Sequence, residues 1–181
     1  VVYGPIIGIQ NGNVGIGTVG PNEKLEVAGN IKLTGNYLKT NVLSAITPIY
    51  IRGTGLNNSA NRVLKIGSNT IYDTTGRGLR FTVISKSDYS VIYDATFDTY
   101  DSTAQSDLLA DAMQTQMTKD RIGILTSFDA WENAVTTNLK NAFQRFGLYK
   151  ALMTPTGIRR PYAAIFEGSS TSTLATTKAV E

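Results

Sequence analysis

Apolar and polar positions alternate along residues 79–84 and again along 90–97, the period-2 pattern of strands with one buried face. The Ser85, Lys86, Ser87, Asp88, Tyr89 stretch between them reads as the turn of an antiparallel hairpin. Upstream, residues 48–52, 62–66 and 69–72 predict three further strands, the first two joined by a Gly- and Asn-rich loop. After the hairpin the period changes. Leu108, Leu109, Ala112, Met113 and Met117 fall at helical spacing behind Ser102, which with Gln105 can cap a first helix over about 102–117. Residues 121–127 form a short, largely apolar run that predicts a central strand. Asp129, with Glu132 three residues on and Gly147 beyond, then predicts a capped second helix whose stripe is Trp131, Val135, Leu139, Ala142, Phe143 and Phe146. A last strand is expected over 158–166, with Pro161 confined to an edge or to the strand's beginning. Phe97-Asp98-Thr99-Tyr100 is thereby a corner from hairpin to helix, its rings expected in the core and Asp98 expected to tie down the turn.

Residues 1–45 are patterned differently. Gly and Asn recur every few positions, and short alternating runs such as 24–27 and 31–34 lie between them, which predicts short strands and tight turns. Large apolar side chains are too few here to offset the ordering entropy of the segment alone, so a partner surface is expected. Gly15-Ile16-Gly17-Thr18-Val19-Gly20 matches G-x-G-x-x-G literally, but that fingerprint needs a helix directly after the glycines. Pro21-Asn22 instead reads as a turn and 25–27 as a strand, so no dinucleotide site is expected.

Composition narrows the chemistry. The 181 residues fit one domain with an appendage, or two small units. The chain contains no cysteine and no histidine, which removes disulfides, thiolate and imidazole metal ligands, and the Ser-His and Cys-His nucleophile pairs. No enzyme activity, cofactor or metal is expected; Asp98, Asp101 and Asp129 show no diagnostic spacing for acid–base work. The net charge of +3 is divided as +6 over residues 1–87 and −3 over 88–181, with the basic residues scattered singly, so a nucleic-acid partner is not expected. Nor is membrane insertion, since no apolar run approaches the ~18–20 residues of a span. The N-x-S sequon at Asn57 reads as coincidence.

Two resemblances sharpen these expectations. Asn13-Val14-Gly15-Ile16-Gly17-Thr18, Pro21, and then residues 24–31 resemble a motif of bacteriophage tail fibres and related adhesins. That resemblance implies a shaft-associated segment and a homotrimer. From Gly76 to Gly168 the chain resembles the interleukin-like EMT inducer family, through Gly76-Arg77-Gly78, the Phe-Asp-Thr-Tyr corner at 97–100, the strand running to Asp129, the helix ending in Gly147, and the Arg159 to Tyr162 strand. The implied fold class is α+β: a compact antiparallel β-sandwich with two short helices, preceded by a β-rich shaft segment. The expected divisions are 1–45 for the shaft, 46–168 for the domain and 169–181 for a Ser/Thr-rich connector or tail.

That family includes cysteine-containing cytokine-like proteins and carbohydrate-binding modules. Carried over residue by residue, the resemblance implies a sugar site of Arg77, Asp129 and Arg159, where guanidinium donors and a carboxylate acceptor would meet hydroxyls. The alternative is that Asp129 only caps its helix and the arginines pair with it. Ile158 stands where a stacking aromatic is found in the sugar-binding members. The expected function is a non-enzymatic tail-fibre component of the virion, assembled in the bacterial host cytoplasm beside other tail or baseplate proteins. In that setting it either binds host surface glycan or serves as a structural joint or decoration.

Overall fold

The computed structural model describes residues 7–29, 47–56, 60–168 and 178–181. The expected strand at 31–34 and the sequon at Asn57 lie outside them. The chain divides into two compact units, 1–46 and 47–181.

The first unit contains β1 (Ile7–Gln10), β2 (Asn13–Ile16) and β3 (Leu25–Val27). β1 and β2 form an antiparallel hairpin, and β2 pairs with β3 in parallel. The hairpin turns at Asn11-Gly12, both at positive φ (53° and 76°), the geometry of a type I′ turn and the reason this dipeptide serves there. No helix follows Gly20 before β3, in keeping with the rejected fingerprint. Register places Ile7, Ile16 and Val27 in one row and Ile9, Val14 and Leu25 in the next, so six aliphatic side chains share one face. Ile7, Ile9, Ile16 and Leu25 are exposed on it.

The second unit is built around a five-stranded antiparallel sheet in the order β11-β10-β9-β7-β8. Its members are β7 (Gly78–Ser85), β8 (Val91–Phe97), β9 (Arg121–Phe128), β10 (Ala163–Glu167) and β11 (Ala179–Val180). A three-stranded antiparallel sheet of β4 (Ile49–Arg52), β5 (Arg62–Ile66) and β6 (Asn69–Thr74) completes the sandwich. Alternation decides the layers. Leu79, Phe81 and Val83 of β7, with Leu125, Ala164 and Phe166, meet the helices in the larger core. Ile84 and Ile124 face the other way and meet Leu64, Ile66 and Tyr72 of the small sheet. The expected hairpin, central strand and three upstream strands are all present.

Helix α1 (Thr103–Gln116) starts at Ser102, whose hydroxyl accepts from the Gln105 N–H at 3.2 Å. Leu109, Ala112, Met113 and Met117 are buried as the stripe predicts, but Leu108 is 52% exposed. The second helix departs further from expectation. α2 runs only over Thr137–Arg145, capped by Thr136, and Asp129 caps nothing: it sits at φ 60°, in a loop. The Asp-x-x-Glu pattern is satisfied by tertiary bonds instead, because Glu132 accepts from the backbone N–H groups of Trp131 and Arg159. Trp131 is buried from that loop and still reaches the helical core. The end of α2 is as predicted. Gly147 (φ 72°) donates to Gln144 O and Leu148 to Phe143 O, a Schellman motif. A third helix, α3 (Tyr149–Met153), follows where a loop was expected. Pro161 lies just before β10, which is an internal strand. Residues 178–181 return to the sheet as β11, and the Glu181 carboxylate accepts from Lys150 N, Ala151 N and the Tyr162 hydroxyl.

Candidate functional site

Strand register brings four separate segments to one end of the large sheet. Gly78 at the start of β7 faces Phe128 at the end of β9, Leu79 faces Phe97 at the end of β8, and Ala163 at the start of β10 faces Thr126. The residues just beyond these pairs, Arg77, Asp98 to Asp101, Asp129 and Arg159, therefore converge. Gly78 permits the closest of these approaches. At φ 100° it carries its backbone past the corner, and a Cβ there would lie 2.0 Å from Phe97 O.

Tyr100 is the centre of the cluster. The Arg77 guanidinium carbon lies 5.3 Å from its ring centroid and that of Arg159 lies 5.2 Å away, both within cation–π range. Arg77 holds Asp98 through Nε (3.1 Å to each carboxylate oxygen) and Nη2 (2.7 Å), and Nη2 also donates to Asp101 at 3.2 Å. Arg159 Nη1 donates to Asp129 at 3.4 Å. The two members of this second pair both have left-handed backbones, φ 60° and 52°, a conformation that costs energy in residues other than glycine and must be held by its surroundings.

The bracing is visible. Glu132, buried, accepts from Arg159 N, and Trp131 Nε1 donates to Arg160 O at 2.9 Å. Thr99, also buried, donates its hydroxyl to Trp131 O at 2.7 Å, and its carbonyl accepts from Ala134 N at 3.0 Å. Asn133 Nδ2 reaches Tyr100 O at 3.2 Å. The corner, the 129–134 loop and the Arg159-Arg160 segment thus form one hydrogen-bonded platform, backed by Trp131 against Phe143 and Tyr162.

Charges on the platform are coupled. Burial pushes the Asp98 carboxyl up, but the hydrogen bonds and charge of Arg77, with backbone N–H groups, outweigh it and hold the carboxyl below its usual range. Arg77 is raised, chiefly by its hydrogen bonds to Asp98, and Arg159 is raised by the Tyr100 side chain and then by Asp129. Both arginines are therefore cations at any ordinary pH. Against them stand Asp98, Asp101 and Asp129, so the cluster has a slight acidic excess and offers both donors and acceptors beside an aromatic ring. Asp101, which accepts from Arg77 Nη2, is 73% exposed. Among the described residues no group of His, Cys, Asp and Glu is arranged to hold a metal.

The three residues singled out from sequence are thus brought together, though not as expected. Arg77 pairs with Asp98 and Asp101, while Asp129 pairs with Arg159 and leaves helix capping to Thr136. The ring at the centre, Tyr100, was assigned to the core on sequence grounds. It lies half-buried between two arginines. The hairpin register, once Leu79 is set against Phe97, is the signal that would have put Arg77 beside this corner. Glu132 as a brace was missed because its bond to Arg159 crosses 27 residues of chain.

Residues 77–166 match the family model of the interleukin-like EMT inducer, a stretch that begins at Arg77 and contains Asp129, Arg159 and Tyr100. No curated protein sequence matches the chain.

Proposed function

We propose that this protein is a non-enzymatic component of a bacteriophage tail fibre or adhesin, in which an interleukin-like EMT inducer type domain binds carbohydrate on the host surface through Arg77, Asp129 and Arg159. The observation that carries the sugar reading is the convergence of two guanidiniums, a ring and partly exposed carboxylates on one braced platform. A sugar hydroxyl both donates and accepts, so guanidiniums beside partly exposed carboxylates can meet it in both senses. The six-aliphatic face of the β1–β3 sheet supports self-association of the first unit, here as a homotrimer along a fibre. In this reading the protein is part of the virion, assembled in the bacterial cytoplasm next to other tail or baseplate proteins, with no cofactor.

The test is glycan-array and host-cell binding by the full chain against Arg77→Ala, Asp129→Ala and Arg159→Ala. Binding lost in these variants, while each still unfolds in one cooperative transition well above the assay temperature, is the expected result; binding retained by all of them would overturn the site. A second reading is a structural joint or decoration. It is favoured by Arg77, whose Nε and Nη2 are occupied by Asp98 and Asp101. It predicts that the intact chain binds no glycan and ignores host cells.

A further inference from the structure

Arg62 is fully buried between the two sheets and carries no ion pair among the described residues. Its Nη1 donates to Thr126 O at 3.1 Å and, at 3.5 Å, to Gly78 O, and its guanidinium lies 5.9 Å from the Phe128 ring centroid. Nε and Nη2 are buried and have no hydrogen-bond partner among the described residues. Those two nitrogens form one edge of the guanidinium, a fork suited to receive an anion side-on. The chain uses that same edge twice elsewhere. Arg77 holds Asp98 through Nε and Nη2, and Arg80 holds Asp94 through Nε (2.8 Å) and Nη2.

Among the described residues no carboxylate pairs with Arg62 in this way. The charged groups facing this region from the packed strands are Arg80 of β7 and Asp94 of β8. Asp94 is taken by Arg80 and by the Thr82 hydroxyl, which donates to it at 2.9 Å. Tyr72 and Thr126 bond to each other at 2.8 Å and are neutral. One positive charge therefore remains uncompensated between the sheets, an unfavourable situation unless a counter-charge is supplied. A buried water satisfies donors but not charge.

A glycine lies over this edge of the fork. Gly76 has φ 118°, and a Cβ built on it would lie 3.4 Å from Arg62 Nη2, with Thr96 Cγ2 at 3.9 Å the next atom met. Gly76 itself is exposed, so the unpartnered edge lies directly beneath the surface. Thr54, whose N–H donates to Ser127 O one residue along β9 from the carbonyl that holds Arg62, has a second buried, unpartnered polar atom in its hydroxyl. Burial pushes the guanidinium pKa down to about 10, which still leaves the cation intact at neutral pH.

We propose that the Nε–Nη2 edge of Arg62, beneath Gly76, is the binding site of a small monovalent anion, either a halide or a two-oxygen anion of the formate or nitrate type. The ion supplies the charge that Asp98 and Asp94 supply to the other two arginines, and it locks the small sheet onto β9. The site is independent of the carbohydrate reading.

The full chain, exchanged into sodium gluconate, is unfolded thermally with increasing chloride, formate or nitrate at constant ionic strength. A saturable rise of about 3–6 °C at ten times Kd is expected from one of them, the most effective ion identifying halide or oxyanion. In Arg62→Met, which keeps the side-chain length without the fork, the rise should vanish. Should that variant not fold, wild-type crystals soaked in bromide provide the second measurement, with an anomalous peak expected within hydrogen-bond reach of Arg62 Nε and Nη2. Midpoints that are equal in gluconate and all three anions, with no bromide peak at Arg62, would overturn the proposal.

Discussion

Phe143→Ala tests the link between the helical core and the platform at the sheet end. Phe143 is completely buried in the larger core and meets Trp131 edge-on, ring centroids 6.3 Å apart at 82°. Truncating a buried Phe removes its transfer free energy and leaves a cavity, about 3–5 kcal/mol together, and an edge-to-face partner adds about 0.5–1.5 kcal/mol. For a unit of this size that corresponds to a midpoint lower by about 10–20 °C. The assay is urea unfolding followed by the fluorescence of Trp131, the chain's single tryptophan, and in parallel by far-UV circular dichroism. Leu108→Ala is the control. Leu108 lies in the same kind of apolar stripe but is half-exposed, and the cost there should stay within about 0.5 kcal/mol. Because Trp131 also bonds to Thr99 and Arg160, Phe143→Ala should further weaken any glycan binding while the protein remains folded. A loss under about 1 kcal/mol at Phe143, or an equal loss at Leu108, would refute the placement of Phe143 in the larger core against Trp131.

Thr99→Val, nearly isosteric, leaves the Trp131 carbonyl without its buried donor and should cost about 1–3 kcal/mol in urea unfolding, whereas Thr99→Ser keeps the hydroxyl and should lose less. The Asp98 carboxyl is held below its usual range in the folded chain, so it stabilises the fold above the unfolded-state value near 3.8 and ceases to do so as pH falls through the lower, folded value. Thermal unfolding from pH 7 down to pH 2 should therefore cost the wild type more stability than it costs Asp98→Asn, which keeps only the share of Asp88 and the other paired carboxylates; parallel curves would count against the Arg77–Asp98 pairing. Ile9→Asp sets a charge in the middle of the exposed aliphatic face of β1–β3 and should lower the mass measured by light scattering from trimer to monomer. A wild-type chain that is already monomeric would remove the trimer from the reading.

Much of this fold could be read along the chain because its signals are local. Alternation over 79–84 and 91–97 depends on two faces of one strand, and the Gly147 stop depends on a backbone conformation that glycine adopts freely. Ser102 was legible as a cap for the same reason: its partner, the Gln105 N–H, is three residues away. The start of α2 was not legible. Asp129 and Glu132 have the spacing of a capping box, yet bonds to Thr99 and Arg159, distant in sequence, hold that loop out of the helix. Leu108 fits the helical period but points past the edge of the core, a matter of how α1 is rotated on the sheet.

The candidate site divides along the same line. Sequence by itself determined the residue types, the hairpin of 79–84 with 90–97, and the Gly-Arg-Gly and Phe-Asp-Thr-Tyr markers that the family model spans in part. Only the tertiary structure decided who pairs with whom. Register across β8, β7, β9 and β10 sets Arg77 on Asp98, Asp129 on Arg159 and Tyr100 between the two arginines, while the packing of β5 on that sheet leaves Arg62 by Gly76 without an ion-pair partner among the described residues. The reason is physical. A charge chooses its partner by distance and burial, and both are set by strands that meet in space after dozens of intervening residues.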